Sequence, residues 1–364
     1  MSNTDIRRTP LSYGDLPYWA DDKQAAAFAA FLVSSRRILE RARDGIEPRS
    51  PQGLLRIARI AVDSCGHVRS DLDARAFFET YFTPHGVIHA EPQGLLTGYY
   101  EPVIRGSRSR TGRYTVPVLR RPPDLVNLVA ESERGAKAEN LTHGRRTGSG
   151  VEPYATREAI EEGALAGQSL ELVWLEDPVD AFFLHVQGSG LIAFDDGTSA
   201  RITYDGKNGH PYTSVGRHLI DAGLFPADQM SLDALKVWLR ADRARGVAAM
   251  RHNKSYVFFR ELTGEAASSA LGAMEIPLSD HRSLAVDTRY HDLGTPIYVV
   301  SPSLTAAGGD NGFHRLMVAQ DVGSAIRGPE RGDIYYGTGD EAGARAGTTL
   351  HAGHFFVLLP KAVP

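Results

Sequence analysis

Three aspartates near the C-terminal end have the chemical type and placement for acid–base work. Asp287 follows the β-type run from Leu284 to Val286, Asp321 follows Leu316 to Ala319, and Asp333 opens Ile334 to Tyr336. Carboxyls at strand ends can converge on the mouth of a barrel, where burial and mutual repulsion hold one of them neutral and able to give up a proton. Taken singly, each is an ordinary turn residue that bonds nearby backbone N–H groups. Three in one region, beside Gly323, Gly328 and Gly332 that permit close backbone approach, point instead to a site.

Three further stretches carry polar and aromatic groups suited to sugars. Thr97-Gly98-Tyr99-Tyr100-Glu101 sets a hydroxyl, two phenols and a carboxylate beside a flexible glycine. Tyrosine faces stack on sugar rings and the phenol bonds their hydroxyls. In Phe183-Leu184-His185-Val186-Gln187-Gly188-Ser189-Gly190, a strand would place Phe183, His185 and Gln187 on one face, with the glycines turning the backbone beside Gln187 and Ser189. Lys207, Asn208, His210 and Tyr212 crowd a stretch whose Asp-Gly and Asn-Gly pairs read as turns. No phosphate-loop or dinucleotide fingerprint is present. His351 and His354 lack a third ligand at a recognised spacing, and Cys65 has no cysteine partner, so neither a metal, a cofactor nor a disulfide is expected. Cys65, at the end of an apolar helical run, reads as a packed thiol.

The elements that must carry these groups change character along the chain. The first 85 residues read as helical. One helix begins with Asp21 as its cap and Gln24 closing a capping box; others cover Gly53 to Asp63 and Leu72 to Tyr81. From Leu95 onward short β-type runs alternate with glycine and proline: Tyr114 to Leu119, Leu170 to Trp174, Ala181 to Val186 and Leu191 to Phe194. Glu131 to Gly150 is polar and reads as a long exposed loop. Helices interrupt at Ser214 to Ala222 and from Ser231, before strands resume from Tyr256 to the end. The class is mainly β with peripheral helices, organised as barrels. The 364 residues suit two domains, and a net charge of −4 without a basic block argues against nucleic acid. No apolar run reaches membrane-spanning length, and Met1 to Pro10 is polar without a hydrophobic signal region.

Taken together the motifs resemble the MltA family of membrane-bound lytic transglycosylases. The pieces are GYYEP (98–102), FFLHVQGSG (182–190), YDGKNGHPY (204–212), SYVFF (255–259), AQDVGSAIRG (319–328), GDIYYGTGDEAG (332–343) and RAG (345–347). The tail resembles the 3D module, whose three aspartates would be Asp287, Asp321 and Asp333. The resemblance implies a large double-psi β-barrel domain from residues 1–105 and 255–364, with a smaller β-barrel domain inserted at 106–254 and a groove for glycan. It implies cleavage of the β-1,4 bond between N-acetylmuramic acid and N-acetylglucosamine with a 1,6-anhydro end, Asp333 being the acid and then the base, and Asp321 supporting it. Substrate-binding positions carried with it are Thr97, Gly98, Tyr99, Tyr100, Gln187, Gly188, Ser189, Lys207, Asn208, His210 and Asp287. The implied partners are peptidoglycan glycan strands and other cell-wall enzymes, acting on a monomer in the periplasm. Outer-membrane attachment belongs to a precursor, since this chain shows neither an export signal nor a lipid-anchor cysteine. Competing readings are a non-catalytic, expansin-like peptidoglycan-binding protein, a hydrolase using both Asp321 and Asp333, and an aspartic protease built on Asp321-Val322-Gly323-Ser324.

Overall fold

The computed structural model describes residues 6–45, 52–89, 94–128 and 142–361. The chain divides into two compact units. One comprises Met1–Tyr99, Leu271–Gly337 and Thr349–Pro364; the other comprises Tyr100–Ala270 and Thr338–Thr348. The limits of 106 and 254 drawn from the sequence both fall inside the second unit. That unit also takes in the strands Val103–Ser107 and Val257–Glu261, because these pair with Ser189–Phe194 and Ser199–Lys207 of its own sheet.

The first unit is mainly β and carries three helices, Gln24–Arg43, Gln52–Ser64 and Asp71–Tyr81. Ala27, Phe28, Phe31 and Ile38 share the buried face of the first helix and pack with Phe77, Phe78 and the sheet residues Tyr298 and Leu316. Its start differs from the expected capping box. Asp21 lies in the short turn Trp19–Asp21, and the open N–H of Ala25 is taken by Asp71 Oδ1 at 2.9 Å. Neighbouring Asp22 is drawn away by Arg282 at 2.8 and 2.9 Å and by the Leu316 N–H at 2.7 Å. The third helix does start with a capping box, Ser70 with Asp73.

Eight strands form the sheet of this unit. In spatial order they are Arg7–Pro10, Phe82–Ile88, Leu350–Pro360, Pro296–Ser301, Phe313–Asp321, Ser283–Val286, Arg331–Thr338 and Gly94–Glu101. Gly94–Glu101 pairs in addition with Leu350–Pro360, matching Gly94 to Gly353 and Thr97 to Leu350. The six strands from Leu350–Pro360 to Gly94–Glu101 are therefore each bonded on both sides. Ser283–Val286 is buried throughout and runs parallel to Phe313–Asp321 but antiparallel to Arg331–Thr338.

The second unit has a six-stranded sheet in the order Val257–Glu261, Ser199–Lys207, Ser189–Phe194, Val103–Ser107, Glu171–Leu175 and Val116–Leu119. Its core is made by Ile104, Val118, Val173, Leu175, Leu184, Ile192, Ile202 and Phe259. The strand expected over Ala181 to Val186 is a helix, Pro178–Gln187. Its end signals override the apolar run: Asp177 accepts the Val179 N–H at 2.8 Å, Pro178 opens the first turn, and Gly188 closes the last one at φ 79°. Part of the expected loop from Glu131 to Gly150 lies outside the described residues. The remainder belongs to a hairpin of His143–Thr147 and Gly150–Pro153. Among the described residues, no helix is long and apolar enough to cross a membrane.

Candidate active site

One face of the first unit's sheet gathers two of the three aspartates. Ala285 on the central strand Ser283–Val286 lies opposite Asp321 on one side and Asp333 on the other. Directly opposed residues in a sheet point to the same face. The two carboxyls thus flank a single methyl group, about 10 Å apart at Cα from two strand spacings. Both are partly exposed, while Ala285 is buried.

A bulge aims Asp321. The parallel register steps from Leu284–Ala319 to Ala285–Asp321, leaving Gln320 as the extra residue. The Gln320 side chain turns inward, where its amide donates to Ala30 O at 2.9 Å and Ser34 Oγ at 2.8 Å and its carbonyl accepts from Ser283 Oγ at 2.5 Å. Asp321 then faces out from the core. Its Oδ1 accepts the N–H groups of Ala273 and Val322, each at 2.9 Å, and its Oδ2 accepts the Tyr99 hydroxyl at 2.9 Å.

Asp333 sits on Arg331–Thr338, where Gly332, Ile334 and Tyr336 are buried and Arg331, Asp333 and Tyr335 alternate to the other face. Glycine is needed at 332, since a Cβ there would come within 2.7 Å of Phe355. The adjacent strand Gly94–Glu101 brings Thr97 and Tyr99 to the same face. Thr97 Oγ1 donates to Asp333 Oδ1 at 2.6 Å, and the Tyr99 ring lies 5.2 Å from that of Tyr335. Arg331 donates through Nη2 to Thr97 Oγ1 at 2.8 Å. Among the described residues, Asp333 accepts only the bond from Thr97.

The electrostatics follow from burial. Desolvation raises the Asp333 carboxyl above its ordinary value, against the opposing pull of the Thr97 bond and the Arg331 charge. Desolvation likewise carries Asp321 up to about 6, although three donated hydrogen bonds favour its charged form, and the nearby Asp333 adds to the rise. Burial drives the Tyr99 phenol well above its usual range, with Asp321 adding to the effect.

Asp287, the third aspartate, is not brought to this pair. It is fully buried, and Arg289 grips it with Nε at 3.0 Å and Nη2 at 2.6 Å, while the Gly328 N–H adds a bond at 2.9 Å. Burial pushes its carboxyl up, but these bonds outweigh that and hold it below the usual range. Asp287 pins the turn that leads into the Asp333 strand.

Apart from Gly98, the other candidate positions lie in the second unit. The Tyr100 N–H donates to Gln187 Oε1 at 3.1 Å, and Lys236 Nζ reaches the Tyr100 hydroxyl at 3.3 Å. Gly188 is the helix cap and Ser189 opens the following strand, 8% exposed. Lys207 ends the strand Ser199–Lys207 and is partly exposed. Asn208 is fully buried and saturated: it donates to Ala155 O at 2.8 Å and Lys254 O at 2.9 Å and accepts the Tyr256 N–H at 2.9 Å. His210 Nε2 is 2.9 Å from Tyr154 O. Gly98 lies between Thr97 and Tyr99 on their shared strand. Among the described residues, no group of three or more histidine, cysteine or acidic side chains is arranged to hold a metal ion.

Sequence reasoning overlooked Arg331 and Gln320. Arg331 stands two residues before Asp333 in a strand, and that spacing alone places both on one face. Nothing in the residue types marks Gln320 as the bulge.

Comparison with known proteins decides the family. A model described as the MltA specific insert domain matches residues 95–260, and one described as the 3D domain matches residues 282–359. Membrane-bound lytic murein transglycosylase A of Escherichia coli (strain K12) is 37% identical over 266 residues, 72% of this chain. This chain belongs to the MltA family. The Vibrio cholerae relative of the same description is 35% identical over 268 residues, again 72% of this chain. These matches span 64% and 65% of the two relatives' own lengths. Among solved MltA-family structures, a membrane-bound lytic murein transglycosylase from Agrobacterium tumefaciens superposes with a TM-score of 0.86 at 35% identity, covering 98% of each chain. MltA from Neisseria gonorrhoeae gives 0.80 at 32% identity, over 99% of this chain and 94% of that one. MltA of Escherichia coli with bound chitohexaose gives 0.68 at 29% identity, over 100% and 94%.

Proposed function

We propose that this chain is a peptidoglycan lytic transglycosylase that uses Asp333 as both acid and base. It cleaves the β-1,4 bond between N-acetylmuramic acid and N-acetylglucosamine and leaves a 1,6-anhydro end. Family membership supports the substrate, and chitohexaose bound to the Escherichia coli relative supports a chain of N-acetylated sugars as ligand. The observation that carries the assignment of the acid is the contrast between the two carboxyls. Among the described residues, Asp321 accepts three hydrogen bonds that favour its charge, whereas Asp333 accepts one, from Thr97 to Oδ1, and none at Oδ2. A carboxyl with one oxygen uncommitted to protein donors can carry and present a proton there, whereas both oxygens of Asp321 are already engaged as acceptors.

In the proposed step, neutral Asp333 gives its proton to the glycosidic oxygen as the bond from C1 breaks. The C6 hydroxyl of the same muramyl residue then attacks C1, and the Asp333 carboxylate takes the hydroxyl proton. The substrate's own oxygen replaces water, so a single group alternates between acid and base where ordinary glycosidases need two carboxyls. The Asp333 charge raises the proton affinity of Asp321 by repulsion, and Tyr99 holds Asp321 in place. Gly98, Tyr100, Gln187, Gly188, Ser189 and Lys207 remain proposed glycan contacts. The doubly bonded six-strand run of the first unit is proposed to be a double-psi β-barrel, and the second unit the inserted smaller barrel. A periplasmic, outer-membrane-associated location and glycan strands as partner complete the reading.

Asp333→Asn keeps the Thr97 bond but has no acid proton. Strand cleavage is expected to fall at least about 10²-fold, the usual scale of general acid catalysis, with glycan binding retained. Mass spectrometry of digested sacculi reads the 1,6-anhydro products. Undiminished release by this variant refutes the assignment, and products with free reducing ends refute the non-hydrolytic course.

A further inference from the structure

Among the described residues Arg331 forms no ion pair within contact distance of a carboxylate; the guanidinium is partly exposed, burial lowers its proton affinity from the ordinary arginine range, and the charge of nearby Asp333 opposes that. Its bonds go elsewhere: Nη1 to Gly332 O at 2.6 Å and to Leu95 O at 3.5 Å, and Nη2 to Thr97 Oγ1 at 2.8 Å. A partly buried cation that hydrogen-bonds a hydroxyl while a carboxylate stands nearby calls for explanation, because taking the charge out of water is costly.

The geometry of the hydroxyl supplies one. Threonine has a single O–H and two lone pairs, whereas a guanidinium donates only. With Arg331 occupying one lone pair, the Thr97 hydrogen is turned away from the cation and toward the remaining neighbour, Asp333 Oδ1 at 2.6 Å. The cation also polarises that O–H and strengthens the bond it makes. Oδ1 then already accepts a hydrogen, so a proton carried by Asp333 sits on Oδ2.

We propose that Arg331 is a positioning residue that fixes the direction of the Thr97 hydroxyl and thereby confines the transferable proton of Asp333 to Oδ2. This rests on the reading of Asp333 as the acid. Among the described residues Arg331 makes no hydrogen bond to the carboxyl; it orients Thr97, and its charge also lies near Asp333. The consequence for the acid is specific. With the hydroxyl free to rotate, the proton is shared between the two oxygens instead of being held on Oδ2.

The test is a double-mutant cycle with Arg331→Met and Thr97→Val, read as kcat, KM and the pH dependence of kcat on isolated glycan strands, alongside thermal unfolding. Arg331→Met is expected to lower kcat about tenfold, the worth of one hydrogen bond to a charged group, with KM changed less than twofold. Its alkaline limb is expected to move to higher pH, because a positive charge near Asp333 is gone. Arg331→Lys, which retains a donor and the charge, should recover part of the kcat. In the Thr97→Val background, Arg331→Met should cost no more than a further twofold. Multiplicative losses in the double variant, or an unshifted pH profile with a lowered melting temperature, overturn the proposal and leave Arg331 a purely structural tie. The wild-type protein and Asp333→Asn are run beside the cycle. Their failure to differ counts against the acid assignment, whereas a dead Asp333→Asn with an additive cycle counts against Arg331 alone.

Discussion

At the scale of single residues, burial raises both carboxyls beside Ala285 above their ordinary range. Asp321 has its folded pKa raised to about 6, above the ordinary aspartate range. A raised carboxyl favours the protonated fold, so the stability it contributes is full below about pH 4 and is lost as pH climbs through about 6. Asp321→Asn removes this liability while its amide still accepts the two N–H bonds and donates to the Tyr99 oxygen. The variant is expected to match wild type in unfolding free energy near pH 4 and to exceed it at pH 7.5, by up to about 3 kcal/mol from the size of the shift. Thermal scans at both values check it. The reactive side chains were legible in the sequence because their types are chemical statements in themselves: carboxyls at strand ends and a hydroxyl two residues from a phenol. Their partners were not. The grip of Arg289 and Gly328 on Asp287, and the saturation of Asn208, depend on which oxygen meets which N–H, and spacing carries no such information.

At the scale of elements, the bulge at Gln320 decides which side of the sheet Asp321 serves. Side chains alternate along a strand, so one unpaired residue exchanges the two faces from that point on. Gln320 is fully buried, with its amide and carbonyl all engaged. Gln320→Leu leaves Ala30 O, Ser34 and Ser283 without those bonds and is expected to cost about 2–4 kcal/mol, as several buried groups lose partners together. Denaturant unfolding measures the cost, and residual cleavage below the new transition should also be reduced because Asp321 is less well aimed. In the second unit, Asn208→Ala is expected to lower stability by a similar amount, with the KM for glycan unchanged in the remaining folded fraction; a raised KM at unaltered stability would restore Asn208 as a sugar ligand. Helices with strong apolar phase and end signals, such as Gln52–Ser64 and Asp71–Tyr81, were readable within a residue. Pro178–Gln187 was misread as a strand. A short, uniformly apolar run carries no period, and only its flanking Asp177-Pro178 and Gly188 distinguish it.

At the scale of the whole molecule, the chain builds its units from interleaved segments. The second unit needs Thr338–Thr348 to complete it. Thr338 Oγ1 bonds Glu101 Oε2 at 2.7 Å and the Gly339 N–H bonds Glu101 O at 2.9 Å, while Gly343 lies so close to the Tyr100 ring that a Cβ would come within 2.8 Å. Glu101 is fully buried. A fragment ending at residue 270 therefore strands buried acceptors and is expected to melt non-cooperatively; joining 338–348 back through a flexible linker should restore a cooperative transition in circular dichroism. Two-unit organisation was legible from length and from the change of texture near Leu95, but this return segment was not, because its partner residues lie more than two hundred positions upstream. The pairing of Gly94 with Gly353 carries a further consequence, for the ribosome. At synthesis rates of about 5–20 residues per second, the strand Gly94–Glu101 emerges tens of seconds before the segment that covers its edge, and through that interval its open amides are exposed to any other nascent chain.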